Sequence, residues 1–332
     1  MNKILNKILI IQTAFIGDAI LATALVEKLK IFYPNTKIDV LVRNGNESIF
    51  NTNPNVNNVI VWDKSKNKYK SLINTIFYVR KQKYDIVINA QRFFSTGLIT
   101  TMSNAPIKSG FKKNPLSFFL QNKAEHKING EHEIDRNQNL IAFITDGKAF
   151  KPRIYISDSA NYAVRKYKNQ KYFCIAPASV WFTKQFPESK WVEFINSLNN
   201  DIIVYLVGSK TDSELCERII EKSNENVINL CGKLSLIESA ALMKDAVINF
   251  VNDSSPLHIC SAVDAPVVAV FCSTVPRFGF GPIGKNGTVV EVAEPLACRP
   301  CGLHGKTKCP EKHFNCAHNI SVSQLLNCIP HY

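Results

Sequence analysis

No apolar run in the 332-residue sequence approaches the roughly 20 residues that a membrane-spanning helix requires. The first apolar segment also lacks a small-residue cleavage site, and Gln12, Thr13 and Asp18 interrupt it. This pattern argues against a secretory signal peptide and favours a buried strand that leads into a helix. We therefore expect a cytoplasmic protein, and its 45% hydrophobic residues are enough to build sizeable cores.

Disulfides are not expected either, although the chain has ten cysteines. Disulfide frameworks belong to small exported proteins, and this chain fits neither description. One cysteine group stands apart near the C-terminus, and it consists of Cys298, Cys301, Cys309 and Cys316. A C-x2-C pair followed by two more cysteines is typical of a structural zinc site, for which His304 or His313 are substitute ligands. The wider spacing of the second pair leaves simple packing as the alternative.

Positive charge is concentrated in the first half of the chain. Residues 1–165 hold 24 Lys and Arg against 12 Asp and Glu, whereas residues 166–332 hold 16 against 15. A basic half fits an anionic partner such as a phospholipid surface, a phosphorylated glycolipid or nucleic acid. A solvated Lys- and Asn-rich surface is the alternative. The aromatic residues in this half fall at helical spacings or in apolar runs, so we expect core packing rather than base stacking. They are Tyr69, Phe77, Tyr78, Phe93 and Phe94.

Short runs of Ile and Val alternate with amphipathic segments along the chain. The runs predict strands over residues 7–12, 37–42, 58–61 and 85–89, and then over 172–176, 202–207, 227–230, 246–250 and 267–271. The segments between them predict helices, among them 19–32, 69–82, 191–198, 212–222, 236–244 and 257–263. Strands that are apolar on both faces indicate parallel sheets covered by helices. Two such series predict two doubly wound domains, residues 1–160 and 161–332.

The loop that follows the strand at 246–250 has the composition of a phosphate site. Pro256 suits a first helical position and Ser255 suits the N-cap before it. The free N–H groups and the helix dipole would then bind an anion. Asp253 lies in the same loop, and Ser254 and His258 add hydrogen-bond donors. The alternative is that these residues only cap the helix and that His258 belongs to the core.

Two further loops at strand ends carry a charged residue. Lys184, in the loop 177–187, is placed to neutralise a diphosphate as a point charge, unless it is an ordinary surface lysine. Asp18 follows the first strand, where the helix dipole alone would favour an acid. Its functional interpretation is a general base. Because the dipole lowers its pKa, we expect it to be ionised at pH 7 and weakly basic unless it is desolvated.

Together these motifs resemble the heptosyltransferase family of lipopolysaccharide synthesis, glycosyltransferase family 9. The resemblance runs nearly end to end, through KILIIQTAFIGDAILATALVEKLK, YDIVINAQ, HEIDRNQNLI, SVWFTKQFP, VGSKTD, GKLSLIESAALMKDA and NFVNDSSPLHICSAVDAPVVAVF. It implies an α/β protein of the GT-B fold, with two Rossmann-like domains that face a central cleft. The N-terminal domain would bind the acceptor and the C-terminal domain the nucleotide-sugar donor.

The resemblance also implies roles for single residues. Asp18 matches the catalytic base and Lys184 the lysine on the donor phosphates, and Ser179 lies in the same donor loop. Asp212 matches the acid on the ribose, and Leu234 lines the base pocket. The loop that holds the diphosphate and sugar is matched by Asp253, Ser254 and His258. At Ser255 the family usually has Gly, so this side chain either crowds the phosphate or donates a further hydrogen bond.

The implied activity is inverting transfer of a sugar, heptose from ADP-heptose, onto a lipopolysaccharide core or lipid A-type acceptor. No metal or other cofactor is required for it, and nucleic acid is not an expected partner. An anionic glycolipid acceptor would place the protein peripherally at the cytoplasmic face of the inner membrane. Three alternatives stay open: a different nucleotide sugar for a surface glycan, a non-catalytic nucleotide- or glycan-binding protein, and a nucleic-acid-binding module.

Overall fold

The computed structural model of the chain describes residues 5–65, 67–128, 130–199, 201–223 and 226–330. The chain divides into two compact units, one that ends at Tyr155 and one that begins at Ile156. The boundary expected from the sequence, after residue 160, lies five residues later. Each unit is built on a six-stranded parallel sheet.

The first unit alternates strands with helices. Its strands are β1 (Lys7–Gln12), β2 (Lys37–Arg43), β3 (Asn58–Trp62), β4 (Ile86–Asn89), β5 (Ile107–Phe111) and β6 (Asn122–Ala124). Its helices are α1 (Ile16–Phe32), α2 (Ser48–Asn51), α3 (Lys68–Lys81), α4 (Phe94–Met102) and α5 (Glu133–Gln138). The strand order is β3-β2-β1-β4-β5-β6. The order therefore reverses between β1 and β4, and the loops after these two strands flank the switch point where such sheets bind ligands.

The second unit repeats this plan. Its strands are β7 (Tyr172–Ala176), β8 (Ile203–Leu206), β9 (Val227–Asn229), β10 (Ile248–Asn252), β11 (Val267–Phe271) and β12 (Gly287–Glu291). Its helices are α6 (Asp158–Val164), α7 (Glu188–Asn196), α8 (Ser213–Ile220), α9 (Leu236–Lys244), α10 (Ser255–Ala262), α11 (Asn315–His318) and α12 (Val322–Leu326). The order β12-β11-β10-β7-β8-β9 puts the switch point between β7 and β10.

Burial explains why these runs form central strands. Every residue of β7, β10 and β11 is buried, and β1 is buried from its second residue onward. Strands covered on both faces need side chains that are apolar in both directions, which Ile, Val and Phe supply here. None of the described helices is long and apolar enough to cross a membrane.

The prediction that the aromatic residues of the first half pack in the core is wrong. Tyr69 is 78% exposed, Phe77 66% and Phe93 62%, and Tyr78 and Phe94 are exposed too. The helical spacing on α3 is real, but the buried stripe is the neighbouring one, which includes Ile76 and Val79. A periodic pattern shows that a helix has an apolar stripe, but a second stripe can remain at the surface.

Candidate active site

Asp18 lies in the first turn of α1, directly after β1. The N-cap residue of this helix, Phe15, has an extended backbone and no side-chain cap, so the turn begins without the usual hydroxyl or carboxylate partner. As a residue Asp18 keeps some exposure, but its carboxyl group is largely desolvated. Its position at the β1–β4 switch point fits a residue that meets a substrate.

The pKa of Asp18 is raised, not lowered as the helix dipole alone predicts. Burial is the largest cause, the charge of Glu133 adds to it, and the pKa reaches about 6. Arg92 and the backbone hydrogen bonds of Phe15 and Asp18 act in the opposite direction without cancelling the rise. A carboxylate with this pKa is still mostly ionised at pH 7, and it is a much better proton acceptor than an ordinary aspartate.

Arg92 and Glu133, whose charges act on Asp18, are linked through His126. Arg92 Nη1 donates to His126 Nδ1 at 3.2 Å, and His126 Nε2 lies 3.3 Å from Glu133 Oε2. Arg136 Nε donates to the same carboxylate oxygen at 2.7 Å. Because a guanidinium can only donate, His126 Nδ1 accepts and its proton lies on Nε2, towards Glu133.

Glu133 is the negatively charged member of this group. Burial raises the pKa of Glu133, but the hydrogen bond from His126 and the nearby charge of Arg136 outweigh it and hold the pKa below its usual value. Glu133 is therefore ionised whenever Asp18 titrates. Roles for Arg92, His126 and Glu133 were not predicted from the sequence, because these residues come from separate segments that no short motif joins.

In the second unit, Lys184 and Asp253 come together. The loop after β7 contains a short 3-10 turn, Phe182–Lys184, that aims the lysine at the end of β10. Lys184 Nζ lies 2.6 Å from Asp253 Oδ2, and Thr274 Oγ1, from the loop after β11, donates to the same oxygen at 2.6 Å. Asp253 is buried, so this charge is held by its two partners and not by water.

Asn252, the last residue of β10, joins these loops. Its side-chain nitrogen donates to the Pro177 carbonyl at 2.7 Å, and its side-chain oxygen accepts from the backbone N–H of Phe186 at 2.9 Å. Both ends of the Lys184 loop are thus tied to the strand that carries Asp253. Asn252 is fully buried, so both bonds are made away from solvent.

The helix after Asp253 begins one residue earlier than predicted. α10 starts at Ser255, so the N-cap is Ser254 and not Ser255, and Pro256 is the second helical residue. The extended backbone of Ser254 accounts for the shift, because an N-cap residue lies outside the helical region. His258 is buried, and its ring packs edge-on against Phe280 with 6.2 Å between centroids.

The remaining predicted donor residues lie at the same edge of the sheet. Ser179 is half-buried in the Lys184 loop, and its carbonyl accepts from Gln185 at 2.7 Å. Asp212 follows β8, and its Oδ2 caps a turn by accepting from the Ser209 N–H at 2.7 Å. Leu234 follows β9 and is half-buried. Their proposed contacts with a donor stay predictions.

The segment around residues 299–306 supports the Lys184 loop. This support was not predicted from the sequence. Lys306 N–H donates to Thr183 Oγ1 at 2.8 Å, and the Thr183 N–H donates to the Lys306 carbonyl at 3.1 Å. Gly305 has a φ of +78°, and a Cβ there would lie 3.1 Å from Lys184 Cγ. Glycine is therefore required both by the backbone and by the close approach of the lysine.

The four tail cysteines lie near one another. Burial and then the thiols of Cys301, Cys298 and Cys309 raise the pKa of Cys316 to about 12. Cys298 Sγ lies 3.9 Å from His313 Nε2. Among the described residues no group of three or more His, Cys, Asp or Glu is placed to hold a metal ion. The structural zinc stays a prediction that metal analysis of purified protein tests.

One family of known proteins matches the part of the chain that contains both charged groups, the one near Asp18 and the Lys184–Asp253 pair. The profile of glycosyltransferase family 9 (heptosyltransferase) matches residues 76–312, which include Arg92, Glu133, Lys184 and Asp253. The chain belongs to glycosyltransferase family 9. The resemblance inferred from the motifs is thereby confirmed, and so is the glycosyltransferase class.

Relatives of this family 9 member span nearly the same length. Lipopolysaccharide heptosyltransferase 3 of Escherichia coli is 25% identical over 277 residues, which are 78% of this chain and 82% of that protein. The glycosyl transferase family 9 structure from Veillonella parvula DSM 2008 superposes with a TM-score of 0.87 at 21% identity, covering 99% of this chain and 97% of that one.

A third similar structure contains a nucleotide-linked sugar. Escherichia coli heptosyltransferase WaaC with ADP-2-deoxy-2-fluoro heptose has a TM-score of 0.71 at 20% identity, covering 97% of this chain and 99% of that one. These likenesses confirm the predicted α/β, GT-B fold class.

Proposed function

We propose that this family 9 member is an inverting glycosyltransferase that moves heptose from ADP-heptose onto a lipopolysaccharide core or lipid A-type acceptor. The observation that carries the proposal is the pair formed by Lys184 Nζ and Asp253 Oδ2, 2.6 Å apart at the start of α10. The names of the relatives and the ADP-heptose analogue bound to WaaC support heptose and ADP as the donor groups.

The second unit supplies the groups that a diphosphate leaving group needs. The start of α10, with Ser254 and Ser255, presents N–H and hydroxyl donors and the positive end of the helix dipole. Lys184 adds a positive charge, which its ion pair with Asp253 positions and partly offsets. His258 lies one turn further along the helix. Donors of this kind lower the barrier by on the order of 3 to 4 kcal/mol each as charge develops on the leaving oxygen. Ser179, Asp212 and Leu234 would hold the nucleotide.

Asp18 supplies the base. Its carboxylate takes the proton from an acceptor hydroxyl, and that oxygen forms a bond to the anomeric carbon of the sugar. The bond from this carbon to the diphosphate oxygen breaks on the opposite side, so the configuration inverts and ADP leaves with the electron pair. The charge of Glu133 and the burial that raises the pKa of Asp18 to about 6 suit this role. No step needs a metal ion.

The acceptor is proposed to be an anionic glycolipid, which would bring the protein to the cytoplasmic face of the inner membrane. The net positive charge of residues 1–165 supports this partner, since this part of the chain has 24 basic residues and only 12 acidic ones. Peripheral attachment needs no membrane-spanning helix.

A thermal-shift panel of ADP-, GDP-, UDP- and CMP-linked sugars tests the donor. A donor at about 100 times its Kd stabilises the folded state by roughly 2.7 kcal/mol, so ADP-heptose should raise the melting temperature by several degrees. Selective stabilisation by another nucleotide sugar would replace ADP-heptose as the donor. Stabilisation by a donor without any transfer or donor hydrolysis would point instead to a non-catalytic binding protein.

The Asp18→Asn variant tests the base. We expect the rate of sugar transfer to fall by about 10² to 10⁴, because the amide cannot take the proton. Asp158→Asn is a matched control, since Asp158 also lies in the first turn of a helix but is exposed. Equal loss in both variants, or full activity in Asp18→Asn, would remove Asp18 as base.

A further inference from the structure

Four phenylalanines of the first unit are exposed together. Phe93 and Phe94 begin α4 and are 62% and 57% exposed. Phe118 and Phe119, in a short turn between β5 and β6, are 65% and 53% exposed. We call these four residues the aromatic cluster. Rings of this size are normally buried, and several exposed ones on neighbouring segments mark an interaction surface.

A buried asparagine holds the two halves of the cluster side by side. Asn114 Nδ2 donates to the Phe93 carbonyl at 3.1 Å and to the Gln91 carbonyl at 3.3 Å. Its oxygen also packs so close to the first turn of α4 that a Cβ at Gly97 would lie 2.3 Å from it. The segment that carries Phe118 and Phe119 is therefore fixed against the helix that carries Phe93 and Phe94.

Positive charges predominate in the segment of the chain that carries the aromatic cluster. From Arg92 to Lys127 the chain has six Lys and Arg and a single acid, Glu125. That acid lies 2.5 Å from Lys112 and is thus partly neutralised, while Lys113 beside it is exposed. Exposed rings in a basic segment complement a bilayer with anionic headgroups, because the rings enter the boundary of the acyl chains while the ammonium groups stay among the phosphates.

One end of the cluster adjoins a residue of the proposed catalytic site. Phe93 follows Arg92, which contacts His126 and whose charge acts on Asp18. A surface that touched the bilayer here would therefore hold the head group of a membrane lipid near the base. A patch elsewhere on the unit would not couple membrane contact to the reacting hydroxyl in this way.

We propose that the aromatic cluster is the surface by which this protein docks on an anionic membrane, with Phe93, Phe94, Phe118 and Phe119 in the interface. Docking at this edge of the sheet presents a lipid-linked acceptor to Asp18. This second statement rests on the proposed function, whereas the docking itself does not.

Vesicle co-sedimentation tests the docking without any donor or acceptor. Wild type is mixed with vesicles of phosphatidylcholine alone, or of equal parts phosphatidylcholine and phosphatidylglycerol. We expect binding to the anionic vesicles, little binding to the neutral ones, and roughly tenfold or greater loss of binding when the four phenylalanines are replaced by serine. Because all four side chains are more than half exposed, the variant should keep its circular dichroism spectrum and melting temperature.

A matched control lies on α3. Tyr69, Ile73 and Phe77 are exposed to a similar extent on a helix that also carries basic residues. Replacing these three by serine should leave vesicle binding unchanged. Undiminished binding of the cluster variant, loss of binding in the α3 variant instead, or no binding of wild type to either vesicle would each overturn the proposal. So would a wild-type dimer in sedimentation velocity that the cluster variant abolishes, since a second copy would then cover the rings.

The same samples separate this proposal from the proposed function. Vesicle binding with no turnover of ADP-heptose would reject the function and keep the docking surface. Sugar transfer to an acceptor without acyl chains should proceed at equal rates in wild type and the cluster variant, and this result would support the function. The docking surface is then decided by vesicle binding alone.

Discussion

At the scale of single residues, Asp18 carries a charge that its surroundings oppose. Burial and Glu133 raise its pKa from 3.8 to about 6, so the ionised carboxylate costs stability above that pH. Below about pH 4 the group is protonated in both the folded and the unfolded chain, and the cost disappears. Between these values the cost grows with pH.

Asp18→Asn should therefore be more stable than wild type at pH 7, by up to roughly 3 kcal/mol for a shift of this size. The difference should shrink as the pH falls from 6 to 4. Urea unfolding at a series of pH values measures it. A variant with the same stability as wild type at pH 7 would show that the carboxylate is well solvated.

Glu133 offers a second titration at this scale. Removing its charge in Glu133→Gln takes away a cause that raises the pKa of Asp18, while Arg92 remains. The acid limb of kcat/KM for sugar transfer should consequently move to lower pH. Glu131→Gln, an exposed acid two residues away, is the control and should leave the limb in place. A limb that moves to higher pH, or not at all, would separate Glu133 from the base.

Lys184 is expected to matter most when the leaving group develops charge. Lys184→Ala should raise the donor KM and lower kcat, because the lysine stabilises the transition state more than the bound substrate. Lys190→Ala, which removes another lysine with an ion pair to Glu193 at 3.3 Å, is the matched control. Steady-state kinetics with the donor measures both parameters, and an unchanged kcat/KM for Lys184→Ala would contradict the assignment.

At the scale of elements, β10 carries two buried asparagines that hold different parts of the chain. Asn252, at its carboxyl end, ties down the Lys184 loop. Asn249, near its start, donates to the Met243 and Pro266 carbonyls at 2.9 and 2.8 Å. Each leaves buried polar groups unsatisfied when truncated to alanine, which costs about 1 to 3 kcal/mol per group.

Asn252→Ala and Asn249→Ala should thus lose similar stability in chemical denaturation. Only Asn252→Ala should also raise the donor KM, because Asn252 holds the loop that carries Lys184 and Asn249 does not. Comparable KM values in the two variants would mean that the loop keeps its place without the asparagine.

The central elements were predictable because they are buried on all sides. β1, β7 and β11 have the predicted bounds, because continuous apolar runs leave little choice of register or type. The helix α9 also has the predicted bounds. β5, β6 and β12 were missed because these strands mix polar residues and glycine with few apolar ones and lie toward the ends of their sheets. Short edge strands of this kind depend on pairing with a neighbour, which a local pattern does not record.

The site shows the same division. Lys184 and Asp253 stood out because each follows a buried strand, and strand order then placed them together. Arg92, His126 and Glu133 gave no signal, because their contacts join segments that are separated along the chain. The wrong sign for the pKa shift of Asp18 has the same origin, since desolvation depends on the whole surrounding unit while the dipole is local.

At the scale of the whole molecule, the chain beyond β12 returns to the proposed donor site. Arg299 Nε donates to the Cys272 carbonyl at 2.7 Å, and its Nη2 donates to the Phe271 and Thr274 carbonyls at 3.0 and 2.7 Å. The same nitrogen contacts Glu291 at 2.6 Å. This planar group fixes the end of β11, from which Thr274 reaches Asp253.

Arg299→Lys keeps the charge but loses the fork that spans several acceptors. We expect lower stability and a higher donor KM, with the Asp18-dependent acid limb unchanged because that limb belongs to the other unit. Denaturation and steady-state kinetics across pH measure the three quantities. Normal donor kinetics in this variant would separate the tail from the site.

The contacts of Thr183 with Lys306, and the close approach of Gly305 to Lys184, have a consequence for the intact polypeptide. The loop that precedes α11 packs against Thr183 and Lys184, even though it lies more than a hundred residues further along the chain. A single proteolytic cut between residues 302 and 306 should therefore abolish donor binding, because the Lys184 loop loses this support. The strands of both sheets should stay paired.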